Sequence, residues 1–493
     1  MYHISDVKKY LRCPKLFWLS HYEKSLPFNS YVRLDEAVTT LACEKLGVTD
    51  CFLGARGDEA SKALLAMNDN EWIVKGRFEA KQLRAKIPFL HKTNNGWDVY
   101  FLFCGNRPKD DDMNFYCSSI WVLEENDIKI NQIYILHFDE NYVRSDELDP
   151  HQLFQITADF FNDKGNPSKN VKDTIFKRLR NLEDILNGMD EVLQLDKVEC
   201  TRQNKCTKKN KCRFYDKCFP NEIEVEADSI LTLVSSQHKY DMHHEGRLKL
   251  KDVDLERIEG SRQQFAQIRA SQNDGLYVDY YSLKIWIEKI KFPITFLDFE
   301  WETYAIPPFK GMKPYDVLPF EYSIHILYED GTIEHKEYLG TRDCRRHLAE
   351  NLMKDIPANG TIVAYNAEGA EKIRLKEMAA QFPEYAKELM ILYKRLVDLA
   401  FPFVIGTVYD VRMRGYYSLK VLMSLMENQS GYQDLDIHQG MDAVFQWRLL
   451  DQENDDVDPE AIRNHLIEYC SMDTYAMVVV YKWLMSLVDN YEK

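Results

Sequence analysis

Two short acidic motifs carry most of the chemistry this sequence offers. Asp298 and Glu300 stand two residues apart in ITFLDFE (294–300), a short apolar run that follows Pro293. On a strand such residues point to the same face, so two carboxylates lie side by side at the end of an apolar element. Their repulsion is costly unless a cation sits between them. Tyr469 and Asp473, in EYCSMDTYAM (468–477), are four residues apart and share one helix face. A third acidic group follows Asn366 in YNAEGAEKIRL, where Glu368 and Glu371 flank the start of a helical stretch. Hard oxygen ligands from two strands and a C-terminal helix suit Mg²⁺ or Mn²⁺. Two such ions activate water and stabilise the leaving oxygen in phosphodiester hydrolysis. Taken singly, D-x-E also describes a solvated strand edge and Y-x-x-x-D a helix surface pair. The order of the three motifs along the chain is what carries specificity.

Thiols form a second set. Cys200, Cys206, Cys212 and Cys218 recur with five residues between neighbours, and Arg202, Lys205, Lys208, Lys209, Lys211 and Arg213 lie among them. Packing does not explain four thiols in so polar a segment, whereas metal or iron–sulfur ligation does. The basic surroundings offset thiolate charge. The spacings are wider than the usual zinc pairs, although zinc stays the alternative.

These groups need elements to hold them. FEYSIHILYEDGTIEHKEYL (320–339) alternates and turns at Asp330-Gly331, a hairpin pattern. TIVAYN (361–366) is a further short strand, with a helix expected from Glu371. Asp458 as N-cap and Pro459 at the first helical position start the last helix. Residues 291–493 therefore read as an alternating α/β unit. Residues 221–290 read as a helical connector, with helices expected at Ile230–Ser235, Leu255–Ser271 and Tyr281–Ile290. Residues 1–220 are mixed, hold nine of the eleven cysteines and end at Phe219-Pro220-Asn221.

Composition narrows the classes. The 493 residues are 45% hydrophobic and 29% charged, which is ordinary globular usage. A net charge of −16 excludes a polybasic coating protein, so any nucleic-acid contact uses a local basic surface. No apolar run is long enough to span a membrane. The opening MYHISDVKKYLRCPKLFWLS lacks the pattern of a secretory signal, and a cytoplasmic location is expected, with clustered cysteines rather than disulfides.

FLDFE (296–300), PFEYSIH (319–325), AYNAEGAEKIRLKEMA (364–379), YYSLK (416–420) and EYCSMDTYAM (468–477) together resemble the RNase H-like DEDD exonuclease superfamily, in its DnaQ-like, tyrosine-bearing branch. The likeness is closest to a bacterial family of unknown function in which such a domain follows a RecB-like module. The resemblance implies Asp298, Glu300 and Asp473 as ligands of two Mg²⁺ or Mn²⁺ ions, and Tyr469 as the residue that positions water. The superfamily's third acid falls four residues after the asparagine, where this chain has Ala370; Glu371 is the choice and Glu368 the alternative. Asp398 matches a structural position, Asn366 and Ser418 would order the site, and Lys420 reads first as a surface lysine and second as a phosphate contact.

YLRCPKLFWLS (10–20) and CRFYDKCFP (212–220) resemble the cysteine motifs of RecB-like, CRISPR-associated nucleases of the PD-(D/E)XK class. That resemblance implies a 4Fe-4S cluster on Cys13, Cys206, Cys212 and Cys218, with Cys200 spare or alternate. An active module of this kind needs an Asp and then Glu-x-Lys on adjacent strands. AKIPFLHK (85–92) has Pro88 and Phe89 where the Asp is expected, and GWDVYFLFCGNRP (96–108) has no Glu-x-Lys. The expected architecture is α/β throughout: a degenerate RecB-like module (1–220), a helical connector (221–290) and an RNase H-like exonuclease domain (291–493). The expected activity is 3′–5′ digestion of DNA or RNA, with the first module binding nucleic acid or a protein partner. The rival expectation is a catalytically inactive nucleic-acid-binding or scaffold protein.

Overall fold

The computed structural model describes residues 1–23, 30–34, 37–206, 211–220, 225–426, 432, 435–437, 439–452 and 457–492. The chain divides into two α/β units. One comprises Met1–Cys218 with Tyr304–Asp316, the other Phe219–Thr303 with Val317–Lys493. Asn221, Lys208 and Lys209 lie outside the described residues.

The first unit opens on two short helices, α1 (Ile4–Arg12) and α2 (Pro14–Tyr22), joined at Cys13, which ends the first and caps the second. Its mixed sheet contains β1 (Tyr2–His3), β2 (Cys51–Leu53), β3 (Trp72–Ala80), β4 (Leu83–Thr93), β5 (Gly96–Phe103), β6 (Ile130–Phe138) and β7 (Phe154–Thr157). The order is β2-β3-β4-β5-β6-β7, with β1 beside β4. Strands β3, β4 and β5 form an antiparallel meander, and β6 runs parallel to β5. Period-two alternation is plain on β4: Leu83, Ala85 and Ile87 are buried, and Arg84 and Lys86 are exposed. The buried set joins Phe78, Val99 and Phe101 against helix α3 (Met113–Glu124), which contributes Ile120 and Trp121. AKIPFLHK falls on β4 and GWDVYFLF on β5. Asp98 there is buried, stands opposite His91 and accepts a hydrogen bond from Asn131 Nδ2 at 2.7 Å, which gives it a structural partner.

In the second unit the central strand is β8 (Ile294–Tyr304). It is followed by β9 (Val317–Leu327), β10 (Ile333–Leu339), β11 (Thr361–Ala364) and β12 (Leu396–Asp398). The order is β10-β9-β8-β11-β12. The first three strands are antiparallel, and β11 and β12 run parallel to β8. The hairpin turns at Asp330-Gly331, where Gly331 N–H donates to the Tyr328 carbonyl and Gly331 takes a φ of +86°. Helices α4 (Arg345–Asp355), α5 (Glu371–Gln381) and α6 (Ala386–Arg395) cover one face, packing on Leu297, Phe299, Tyr322, Ile324 and Ile326. Toward the C-terminus follow α7 (Leu419–Leu425), α8 (Gly440–Asp451) and the 34-residue α9 (Pro459–Glu492). Helix α9 begins as the sequence predicts, with Asp458 Oδ1 accepting from Glu460 N–H at 3.0 Å.

Helix α9 lies on the other face of the sheet. Tyr481 meets Phe296 with ring centroids 5.8 Å apart. All eleven residues of β9 are therefore buried, and each apolar side chain covered this way stabilises by about 1.5–3 kcal/mol. Helix α8 is pinned by Trp447, which stacks on Phe320 and donates its indole N–H to the Gly340 carbonyl at 2.9 Å. It also carries Arg448, whose Nη2 donates to Glu302 Oε1 at 2.9 Å and whose Nε donates to Oε2. Glu302 is fully buried.

The stretch expected as a helical connector is part of this second unit, tied to it by Leu276–Val278, which pairs antiparallel with Val408–Asp410. Two of its expected helices differ. Ile230–Ser235 is a single 3₁₀ turn, Ile230–Thr232, capped by Ser229. Leu255–Ser271 is broken: a 3₁₀ turn, Leu255–Arg257, precedes the helix Arg262–Gln272. Gly260 at φ +74° lies between the two elements, and Ser261 caps the second with a reciprocal Gln264 bond. The third helix forms over Tyr280–Ile287, three residues short of the expected end at Ile290.

Candidate metal centre

Strand β8 sends Leu297 and Phe299 into the helix-covered core and Phe296, Asp298 and Glu300 to the α9 side. The register slips immediately after Glu300: Glu300 pairs with Glu321, but Trp301 pairs with Pro319. Such a bulge lets a strand aim side chains next to it. Helix α9 brings Asp473 over the same spot. One carboxylate oxygen each of Asp298, Glu300 and Asp473 lies within 4.8 Å of the others. All three residues are half-buried.

This crowding resists ionisation. Burial, then Asp473, Glu371 and Glu300, push Asp298 well above the usual carboxylate range. Glu300 is raised in the same way by burial, Asp473, Glu321 and Glu371, against the pull of Lys420. Burial raises Asp473 to about 6, even though the Tyr432 and Tyr469 hydroxyls donate to it and Lys420 faces it. Glu371, the first residue of α5, is buried and reaches about 8 through burial, Asp398 and Asp473. A divalent cation would reverse each of these preferences.

Of the sequence-predicted residues, then, Asp298, Glu300 and Asp473 meet, and Tyr469 points its hydroxyl at Asp473. Glu371 lies outside the 4.8 Å triad but within its electrostatic reach. Glu368 is exposed and pairs with Lys372. Asp398 accepts from the Asn366 and Ala400 N–H groups at 3.0 and 2.9 Å, fixing the turn that precedes α5. Asn366 serves that turn through its backbone, at φ +56°. Ser418 caps α7 by accepting from Val421 N–H. Lys420 is half-buried, with Nζ 5.0 Å from the Tyr432 ring centroid and 5.3 Å from that of Tyr469. It belongs to the site rather than to the open surface.

Sequence reasoning missed three neighbours. Cys470 is buried with Sγ 3.6 Å from Asp298 Oδ2. Tyr432 donates to Asp473 from a stretch without periodic pattern. Glu321 is buried on β9 directly opposite Glu300, and neither of its oxygens has a partner among the described residues. Alternation puts Glu321, Ser323 and His325 on one face in FEYSIH, but only the strand register sets that face beside Glu300. Ser323 and His325 each meet Thr474 Oγ1 at 2.8 Å, which fixes α9 one residue beyond Asp473. Burial and neighbouring His335 lower His325 to about 4, so it is neutral at pH 7.

The raised carboxyls predict a pH dependence for metal-free protein. Glu371 in the fold holds its proton up to about 8, against an ordinary 4.5. Its contribution is present below the ordinary value and lost as pH rises through 8; Asp298 and Glu300 shift in the same direction. His325 titrates below this range. In EDTA, Tm is expected to fall between pH 6.5 and 8.5, at ~2–4 °C per kcal/mol lost, and Mn²⁺ is expected to restore it most at the alkaline end. Calorimetry across that range checks it; a flat or rising Tm in EDTA contradicts it.

In the first unit the cysteine run lies against the two opening helices. Arg12 Nη2 donates to the Lys205 carbonyl at 2.9 Å, Arg213 Nη2 to Ser20 Oγ at 2.8 Å, and Lys217 pairs with Glu23. Cys218 is pushed up to about 12, first by burial and then by the adjoining Cys200 thiol, with Cys212 also near. Cys200 therefore stands with Cys218 rather than apart. Cys206 joins the run through its carbonyl, which accepts from Cys212 N–H at 2.8 Å. Among the described residues no three cysteine sulfurs lie within 4.8 Å of one another.

Residues 295–418 match a family model described as a domain of unknown function, DUF2779. The match includes Asp298, Glu300, Glu371 and Asp398 and ends before Tyr469 and Asp473. No curated protein matches the chain, and no solved structure does. No helix among the described residues is long and apolar enough to cross a membrane.

Proposed function

We propose that residues 291–493 are an RNase H-like, metal-dependent 3′–5′ exonuclease that hydrolyses phosphodiester bonds in DNA or RNA. The convergence of Asp298, Glu300 and Asp473 within 4.8 Å carries the reading. The strand order β10-β9-β8-β11-β12 supports it, with the acids on the central strand and the helix laid across it. The donor set is all hard oxygen and fits Mg²⁺ or Mn²⁺. Asp298, Glu300 and Asp473 would hold one ion, and Glu371 would complete the place of a second. Bound there, the ions supply the charge that activates water and steadies the leaving oxygen. Tyr469 orients the attacking water beside Asp473, and Lys420 faces the scissile phosphate. The direction of digestion comes from the DEDD resemblance.

The N-terminal module, in this reading, is a nuclease-dead RecB-like fold that binds substrate or a partner and holds a 4Fe-4S cluster, with zinc as the alternative. Cys13, Cys206, Cys212 and Cys218 are the ligands that the resemblance implies. The position of Cys200 beside Cys218 makes it a competitor for one place. The second functional reading, a non-catalytic nucleic-acid-binding scaffold, draws on Glu371 lying outside the acidic triad.

One assay separates the two. Purified protein is incubated with 3′-labelled single strands of DNA and of RNA, in Mn²⁺ and in EDTA. Release of the label as mononucleotide in Mn²⁺ alone is the expected result. Binding without shortening in Mn²⁺ overturns the exonuclease reading.

A further inference from the structure

The exposed face of the first unit's meander concentrates positive charge in a chain of net charge −16. Arg77 on β3 and Lys86 on β4 are direct cross-strand partners, and Arg84 stands one alternate position further along β4. Like charges placed directly opposite destabilise a sheet; Glu79 offsets Arg77 here, which leaves Lys86 as the member of the pair without a close counter-charge. A depression of about 410 Å³ opens between them, lined by His3, Arg56, Arg77, Arg84 and Lys86. A second, of about 240 Å³, shares Lys86 and adds Lys75, Thr39 and Pro88.

Two acids stand close by: Glu79 is the cross-strand partner of Arg84, and Asp58 lies within electrostatic reach of Lys86, but each makes its close contacts elsewhere. Glu79 pairs with Arg77, while Asp58 pairs with Lys62 at 2.7 Å and accepts from Ala55 N–H. Arg56, Lys75, Arg84 and Lys86 have no ion-pair or hydrogen-bond partner among the described residues. From Arg84 to Pro88 the strand covers roughly 13 Å at ~3.3 Å per residue. That is longer than one phosphate group and suits a chain of them. These cations also occupy the strand on which a RecB-like nuclease would need its acids.

We infer that this face, running from Arg84 and Arg56 across Lys86 to Lys75, is a binding track for the phosphodiester backbone of single-stranded nucleic acid. It lies apart in sequence from the basic cysteine run. That the polyanion is nucleic acid rests on the exonuclease reading. The track takes phosphates without reading bases, because its groups are cations on an open sheet.

The test uses the full chain and a fluorescein-labelled single-stranded oligonucleotide in EDTA, followed by anisotropy at several salt concentrations. Arg56→Ala/Arg84→Ala/Lys86→Ala is expected to weaken binding at least tenfold at low salt. The slope of log affinity against log salt is expected to shrink by about 2, at ~0.7 for each phosphate no longer neutralised. Lys251→Ala/Lys376→Ala/Lys387→Ala, on exposed lysines elsewhere, is expected to bind as wild type. Arg56→Lys/Arg84→Lys is expected to retain binding, which separates charge from folding. Mn²⁺-dependent hydrolysis of a nucleoside 5′-monophosphate p-nitrophenyl ester reports the acidic site alone. Loss of oligonucleotide binding in the triple variant upholds the track, whether or not the ester is hydrolysed by wild type; failure of the ester and of strand shortening in wild type removes only the exonuclease reading. Wild-type affinity in the triple variant overturns the track. So does loss confined to a poly-glutamate peptide, which would assign the face to an acidic protein.

Discussion

Asp473→Asn is expected to lower Mn²⁺-dependent release of nucleotides by roughly three orders of magnitude, several kcal/mol of transition-state stabilisation. The amide keeps the side chain's shape and its contact with Tyr432 and Tyr469 but withdraws the charge shared by the cage. Folding should move the other way. Burial raises both Asp298 and Glu300 well above the usual carboxylate range and Asp473 adds to it, so neutralising Asp473 relieves repulsion in the absence of metal. In EDTA the variant should therefore melt above wild type at pH 8. In Mn²⁺ it should lose most of the stabilisation that wild type gains by binding the ion. Asp298→Asn should repeat both effects. Wild-type nucleotide release in these two variants would remove the catalytic role of the acidic triad.

Arg448→Ala is expected to give the largest loss of stability, about 3–5 kcal/mol, because it leaves the fully buried Glu302 charged and without its fork. Glu302→Gln/Arg448→Met together should come back close to wild type, since a packed neutral pair of similar volume carries no such debt. Urea unfolding of the three chains checks both statements. A cost below about 1 kcal/mol for Arg448→Ala would mean that water reaches Glu302 when the guanidinium leaves. The pair sits two residues beyond Glu300, so its removal should also loosen metal binding, while Asp473→Asn spares the sheet.

How much of the fold and site is legible in the sequence follows from which interactions are local. The two-residue period puts Asp298 and Glu300 on one face, and the four-residue spacing does the same for Tyr469 and Asp473. Both patterns depend only on the geometry of a single element. The Asp458-Pro459 start of α9 and the Asp330-Gly331 turn are local in the same sense. Glu321 cannot be recognised that way. It looks like one more polar residue in an alternating strand until the register places it opposite Glu300. Cys470 and Tyr432 are likewise assigned by packing over α9 and not by spacing. The connector differs for another reason: apolar periodicity runs through Gly260 and Ser261, and backbone preference overrides it. The shift from Ala370 to Glu371 is visible as a departure; its outcome, a buried acid outside the tight triad, depends on how α5 starts.

Helix α9 has a consequence for how the acidic cluster assembles in a growing polypeptide. Asp298 and Cys470 touch across 172 positions of the chain, and the helix that closes this distance is made after every strand of the sheet it covers. A nascent chain that has completed its sheet but not this helix displays two lone carboxylates and a bare strand face. It lacks Asp473 and Tyr469, and with them the third carboxylate of the cluster. The acidic cluster is therefore complete only once α9 has been made, and one helix both covers the sheet and supplies its third acid.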